Sequence, residues 1–495
     1  LYREREETLW DDHITAMRAL LLCDAWAAAA RSGAASTGDL RSLGAALARH
    51  AERLALPAFY RPGHNHGLTQ AFALLAVAAA LHAHPSAPRW SRLARERLEG
   101  QMAGNVSEEG VHLEHSPYYH FFVLRQFLGA RRLAGAAGTP LGAAFEERLH
   151  RMLDAGASMI EPGGGLAPLG DTWQGAPILL TDEELDAFAP DRAAALRLAR
   201  SAGGPVGGSV LYEGGGLAVI RSRTAADESD RAARYLAVRL SVHPTSHVHS
   251  DAASFTLHAY GRPLLVDSGG PYGYGDPLRH GYFTTTGAHN TVVVDGGNQK
   301  PGPATIHRWE PNGAIQILDA EHGNYAGVRH RRSLFLVRDR FVLLVDRLES
   351  GSPHRYEQRF HFAAHLEVRR EGRDAVAADP GGGASLRLVP LGGGTGELSL
   401  HRGDGGPDGP SAWICTGDRE RVASWGAVCA AEGPDAWFAT LLAPSPGTSP
   451  PSVSVDRLDE GASGAIRIRV ATEGLRAVLR LAGGAAPSIE EEAGA

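Results

Sequence analysis

The hydrophobic period of this chain changes once, and that change limits the folds open to it. From Leu9 to about Arg200 apolar residues recur at spacings of three and four, whereas beyond Gly208 they recur at two. A period near 3.6 buries one stripe of a helix and a period of two buries one face of a strand. The first part is therefore expected to be all-helical and the second mostly antiparallel β. Ser201-Ala-Gly-Gly-Pro-Val-Gly-Gly208 sits at the change and is incompatible with a helix, which makes it the expected joint. The chain is also too long for one ordinary core. Residues 1–204 and 205–495 are the expected domains.

Candidate helices cover 8–32, 38–55, 65–84, 89–102, 115–136, 141–158 and 182–201, separated by Gly and Pro breaks such as Pro57, Pro62-Gly63, Pro85 and Gly138-Thr-Pro140. Short turns between successive helices suggest stacked antiparallel hairpins, as in an α/α toroid; seven are few for a closed ring, so the expected ring is incomplete. Strands are expected at Leu217–Arg221, Tyr235–Val242, Ser254–Tyr260, Thr291–Asp295, Ser333–Val337, Phe341–Asp346, Tyr356–Phe362 and Ala465–Val470. These imply a β-sandwich. The Gly- and Pro-rich stretch 365–450 is expected to supply variable loops and edge strands.

Composition removes several function classes. A net charge of −7 offers no general attraction to nucleic acid or to a membrane surface. Arg18 and Asp24 interrupt the most apolar run, Ala16 to Ala30, so no membrane helix is expected. Cys23, Cys415 and Cys429 are too few and too scattered for a disulfide framework or a thiolate metal site, and they leave the compartment open. The sequence starts Leu1-Tyr-Arg-Glu, which is compatible with a removed secretion signal and hence a secreted or periplasmic location, as well as with the cytoplasm.

Polar residues gather where a core would be apolar. Read as a strand, 247–259 places His247, His249, Asp251, Phe255 and Leu257 on one face, followed by Asp267-Ser-Gly-Gly270 and Ala288-His289-Asn290. In the helical part the clusters are Gly63-His64-Asn65-His66-Gly67, where Asn65 suits an N-cap, and Glu114-His115-Ser116-Pro117-Tyr118-Tyr119-His120. A Tyr beside His and Glu can act as acid or base, or simply pack.

Asn65-His66, the Glu114-x-Ser-Pro-x-Tyr119 segment, Leu169-Gly170-Asp171, His247-x-His249-x-Asp251, Asp267-Ser-Gly and Ala288-His289-Asn290-Thr-Val resemble, in that order, the heparinase II/III-like polysaccharide lyases. That family includes heparin, heparan sulfate and alginate lyases. The resemblance implies an α/α toroid followed by an antiparallel β-sandwich, and β-elimination on a uronic-acid-containing anionic glycan. It implies Tyr119 as the acid at the leaving oxygen, and as base for some uronate epimers. His66 would be the partner base, with Asn65 and His247 on the substrate carboxylate. Glu114, Tyr274, Asp171 and Arg279 would contact substrate, although Asp171 equally suits a turn. His249, Asp267 and His289 would hold one structural zinc ion, with Asp251 and Asn290 around it.

The residue types suit that chemistry. A uronate C5 proton becomes removable when donors meet the charge developing on its carboxylate. Two His and a carboxylate suit Zn²⁺, yet His249-x-Asp251 with His289 is also the pattern of a two-His-one-carboxylate iron oxygenase. Two further readings stay open: an alginate lyase, and a glycan-binding protein without catalysis. Arg329-His-Arg-Arg332, Arg355, Arg359 and His361 are either solvated strand faces or contacts for an anionic glycan. Trp173, Trp309 and Tyr272 would either stack on sugar rings or pack at a rim.

Overall fold

The computed structural model describes residues 10–33, 35–189, 208–222, 232–240, 245, 247–270, 273, 275–392, 398–403, 411–417, 419–458, 466–473, 475–481 and 486–492. Its contacts divide the chain into two units. One comprises Leu1–Leu113, Tyr119–Gly156 and Leu179–Ala193, and the other Glu114–Tyr118, Ala157–Ile178 and Ala194–Ala495. The expected joint at 201–207 lies outside the described residues, as do 190–201 of the last expected helix.

The first unit is helical because its polar punctuation and apolar stripes agree. Helix α1 (Asp12–Ser32) is opened by Asp11, whose carboxylate accepts from the backbone N–H groups of His13 and Ile14. Ser36 and Asp39 form a capping box at α2 (Thr37–Ala55). Next come α3 (Asn65–Ala80), α4 (Ala87–Asn105), α5 (Pro117–Ala136) and α6 (Ala143–Ser158). A second capping box, Thr181 with Glu184, opens the short α7 (Asp182–Phe188). Helix α1 packs on α2 and α3, and α3 packs on α4. The seam of α3 is Leu68, Leu74, Leu75 and Val77, all within 1% of full burial. Among the described residues, no helix is long and apolar enough to cross a membrane.

The second unit stacks three antiparallel layers. Strands β1 (Val210–Tyr212), β2 (Leu217–Arg221), β3 (Tyr235–Arg239), β4 (Leu257–Ala259) and β5 (Arg262–Leu265) form a five-stranded sheet in sequence order. The large central sheet uses β6 (Val292–Val294), β7 (Ala304–Glu310), β8 (Ile315–Tyr325), β9 (Val328–Val337), β10 (Phe341–His361), β11 (Glu367–Glu371), β12 (Asp374–Ala378), β13 (Ala384–Gly392), β14 (Ser399–Arg402) and β17 (Trp425–Pro446). Its main path runs β11-β12-β13-β17-β10-β9-β8-β7. Between them in sequence, β15 (Trp413–Cys415) and β16 (Arg421–Ala423) make a small ribbon. The third layer is β18 (Val453–Leu458), β19 (Ile466–Thr472), β20 (Leu475–Leu481) and β21 (Ser488–Glu491).

Period two explains the stack. Along β9 and β10, Leu334, Leu336, Val342 and Leu344 join one core with Leu236, Val238 and Leu257 of the five-stranded sheet. Their neighbours Phe335, Val337, Leu343 and Val345 join a second core with Ile468, Val470 and Leu479 of the last sheet. The central strands are thus apolar on both faces, and each fully buried Leu, Val or Phe contributes roughly 1.5–3 kcal/mol.

Two expectations are corrected. Stretch 365–450 is more than loops and edges: β11 does lie at a sheet edge, but β17 lies in the middle of the large sheet, between β13 and β10, and its Gly433-Pro434 faces the register shift between Glu349 and His354 of β10. Gly and Pro are tolerated where the ladder is interrupted in this way. Residues 247–256 are not strand either. Only Leu257–Ala259 forms a strand, and the preceding segment turns through Ala253 at φ 59°. The shared strand face is therefore not what brings His247 and His249 together.

Candidate active site

A buried carboxylate organises the polar centre of the sheet unit. Asp171 is 1% exposed, in the Leu169-Gly170-Asp171 turn. Gly170 has φ +56°, and a Cβ there would stand 2.9 Å from the His247 carbonyl oxygen and 3.0 Å from that of His115, so only glycine fits. Arg279 donates to both carboxylate oxygens, at 2.8 and 2.7 Å. His247 Nδ1 lies 2.7 Å from Oδ2, and His249 Nε2 lies 3.0 Å from Oδ1. Burial alone would push the Asp171 pKa up, but the hydrogen bonds from His247, His249 and Arg279 hold it far below the carboxylate range. An ionised carboxylate only accepts, so His247 carries its proton on Nδ1 and His249 on Nε2.

His247 thereby turns its other nitrogen away from Asp171. That Nε2 is 3.7 Å from Oε2 of Glu114, which is itself buried. Ser116 and the backbone N–H of Tyr118 both bond the Thr172 hydroxyl, at 2.8 and 3.0 Å, and Tyr118 packs on Trp173 at 4.5 Å. Segment 114–118 is thus stitched to the Asp171 turn.

His249, Asp267 and His289 each offer a ligand atom within 4.8 Å of the others, and all three are buried. His289 Nδ1 is 2.7 Å from Asp267 Oδ2. Burial would favour the neutral forms, but mutual attraction holds Asp267 low and His289 high. His249 Nδ1 and His289 Nε2 have no hydrogen-bond partner among the described residues. Two orphaned imidazole nitrogens beside a carboxylate fit a zinc ion. The carboxylate is Asp267 and not Asp251, which instead faces Arg239 at 3.4 Å. The loop around these residues is braced from within. Asn290 donates to the carbonyls of Phe255 and Val266 and accepts from the His361 N–H, and Arg332 of β9 reaches the carbonyls of Ala253 and Asn290.

In the helical unit His64, not Asn65, caps α3, its Nδ1 accepting from the His66 N–H at 3.1 Å. Asn65 is the first helical residue and is buried. His66 Nδ1 sits 3.1 Å from Asp12 Oδ1, and its ring stacks on His13 at 4.2 Å. Burial, then the charge of His64, pulls the His66 pKa below its usual value. Tyr119 is 3% exposed, with its ring edge-on to Phe122 at 6.0 Å. Tyr274 and Tyr272 lie outside the described residues.

The arginines of the basic runs, with His330, are spent on ion pairs, whereas the buried His361 ring has no hydrogen-bond partner among the described residues. Arg329 pairs with Glu349, Arg331 with Asp319, Arg332 and His330 with Asp346, and Arg355 and Arg359 with Glu357. Arg239 is the residue that sequence reasoning missed. It ends β3, donates to the His115 carbonyl and lies 3.1 Å from His115 Nδ1. The available signal was a lone Arg closing the apolar run Tyr235-Leu-Ala-Val.

The heparinase II/III N-terminus family model matches residues 3–193, and the heparinase II/III-like C-terminal model matches residues 205–422. The chain belongs to the heparinase II/III-like family. It is 24% identical over 315 residues to a heparin-sulfate lyase of Bacteroides thetaiotaomicron, covering 58% of this chain and 44% of the relative. A heparin-sulfate lyase of Pedobacter heparinus is 22% identical over 310 residues, with 59% and 45% covered. The chain thus spans less than half the length of these curated relatives. Among solved structures, a heparinase III aligns over 97% of this chain and 75% of its own, with TM-score 0.79 and 19% identity. The heparan sulfate lyase HepC of Pedobacter heparinus aligns over the same shares, with TM-score 0.74 and 18% identity. These likenesses give this heparinase II/III-like chain its fold: a helical toroid-type unit followed by a β-sandwich.

Proposed function

We propose that the chain is a polysaccharide lyase that cleaves a 1,4-linked uronic-acid-containing glycan by β-elimination, with a glycosaminoglycan of the heparin or heparan sulfate type as substrate. Family membership and the names of the curated relatives support the substrate class. The observation that carries the mechanism is the buried His247 imidazole, fixed by Asp171 with Nε2 turned toward Glu114. A donor held in place before the reaction costs no reorganisation as charge develops.

In this reading Asn65 and His247 meet the uronate carboxylate, so that its C5 proton becomes removable. His66 takes that proton. Its lowered pKa keeps the imidazole neutral, as a base requires. The electron pair forms the C4–C5 double bond, the bond from C4 to the glycosidic oxygen breaks, and Tyr119 protonates the leaving oxygen. A phenol with an ordinary pKa near 10 is an acid at neutral pH. For some uronate epimers Tyr119, where nearby cations or His hydrogen bonds hold it as the phenolate, takes the C5 proton itself and passes it to the leaving oxygen. His249, Asp267 and His289 would hold one zinc ion, which ties the loop segments together.

The test is the ultraviolet absorbance of the unsaturated uronyl product on heparin, heparan sulfate, hyaluronan, chondroitin sulfate and alginate. Heparin or heparan sulfate is expected to give the fastest rise, and Tyr119→Phe to abolish it with folding intact. No rise on any glycan overturns the lyase reading, and a fully active Tyr119→Phe overturns the acid.

A further inference from the structure

The four hydrogen bonds on Asp171 have a division of labour. Two come from one guanidinium, which neutralises the buried charge, and the other two come from imidazoles with different surroundings. His247 faces Glu114, whereas His249 belongs to the group that fits a zinc ion. A carboxylate offers about four acceptor positions, and here all are filled, which leaves none for a sugar. The site is built around this crowding. A Cβ on Gly270 would stand 2.4 Å from Asp171 Oδ1 and 3.1 Å from His249 Nε2, so glycine alone lets the Asp267-Ser-Gly-Gly270 turn pass.

We propose that Asp171 is a shared positioning residue: one carboxylate fixes His247 to present Nε2 and His249 to present Nδ1, which couples the substrate imidazole to the metal-ligand imidazole. This rests on the lyase reading for the role of His247 and deepens it. Asp171 touches neither substrate nor ion and acts through the two rings it orients.

An amide cannot replace this carboxylate. Asp171→Asn keeps one acceptor oxygen and turns an NH₂ group against either the guanidinium or an imidazole N–H. Loss of such an outer partner costs about 10–100-fold in metal affinity or activity. In Asp171→Asn, kcat on heparan sulfate and the affinity for zinc, measured by competition with a chelator, are both expected to fall by about that factor with KM unchanged. Gly270→Ala keeps the carboxylate and crowds it, so it is expected to move both quantities in the same direction, and it serves if Asp171→Asn does not fold. A fall in only one of the two quantities, a fall in neither, or a fall matched by the folded fraction alone overturns the coupling. Long-range ¹⁵N correlation of histidine side chains in the metal-free wild type separates this from the lyase reading. Protons on His247 Nδ1 and His249 Nε2 support the assignment even if no glycan is cleaved, and the opposite tautomer on either ring overturns it.

Discussion

Arg279 was expected to contact substrate, and replacing it with Met decides between that role and the one its geometry supports. The guanidinium is 2% exposed and bonds both oxygens of Asp171, at 2.8 and 2.7 Å. Arg279→Met fills much of the same space but removes the charge. Asp171 then stays buried with only two imidazoles against it, and breaking a buried pair in this way costs about 3–5 kcal/mol. An exposed pair such as Arg308 with Glu310 contributes no more than about 1 kcal/mol, so Arg308→Met is the matched control. Denaturant unfolding of both variants, followed by a probe in the sheet unit, should show a large drop in midpoint for Arg279→Met and almost none for Arg308→Met. The loss should also persist at high salt, because buried charges are weakly screened. An unchanged midpoint together with a KM raised about tenfold, or about 1.4 kcal/mol, would mean that Arg279 binds substrate and that its bond to Asp171 carries no stability.

Three further outcomes are expected. With His66 as base and its pKa below 6.5, the acidic limb of kcat/KM should lie below that value and should vanish in His66→Gln; an unchanged limb assigns it to another group. Burial pushes Glu161 up to about 8, from 4.5. Between those values the folded protein keeps a proton that the unfolded chain has lost. Stability is therefore expected to fall as pH rises from 4.5 through 8 and then level off, with Glu161→Gln gaining a few kcal/mol on the wild type at the upper end; parallel stability curves for the two proteins would refute this. His249→Ala should lose zinc and lower the melting temperature, and loss of the ion with an unchanged melting temperature would rule out a structural ion.

The layer order of this fold was legible because it depends on local pattern. Leu334 to Val337 and Phe341 to Val345 alternate between two cores, and that alternation is written in consecutive residues. Strand β17 was hidden because Gly433 and Pro434 read as a break, although the long strand β10 absorbs the irregularity opposite them. The polar segment 247–251 mimicked a strand for a different reason. Its His and Asp residues alternate because each needs a buried partner, and those partners, Asp171 and Arg239, come from elsewhere in the chain. The ligand types His249, Asp267 and His289 could be named from chemistry alone. The pairing of Asp171 with Arg279 could not, because 108 residues separate them and neither carries a local signal of the other.

Arg332 lies within β9, yet its guanidinium holds the carbonyls of Ala253 and Asn290 while Asp346, itself held by the Gln358 amide, fixes it from the other side. Two loops that are irregular in backbone are thereby moored to the most regular part of the molecule. Their spacing is inherited from strand register, so fraying at the surface leaves it untouched. A polar substitution deep in the sandwich, with no path to solvent, would detune the histidines sooner than most changes at the rim.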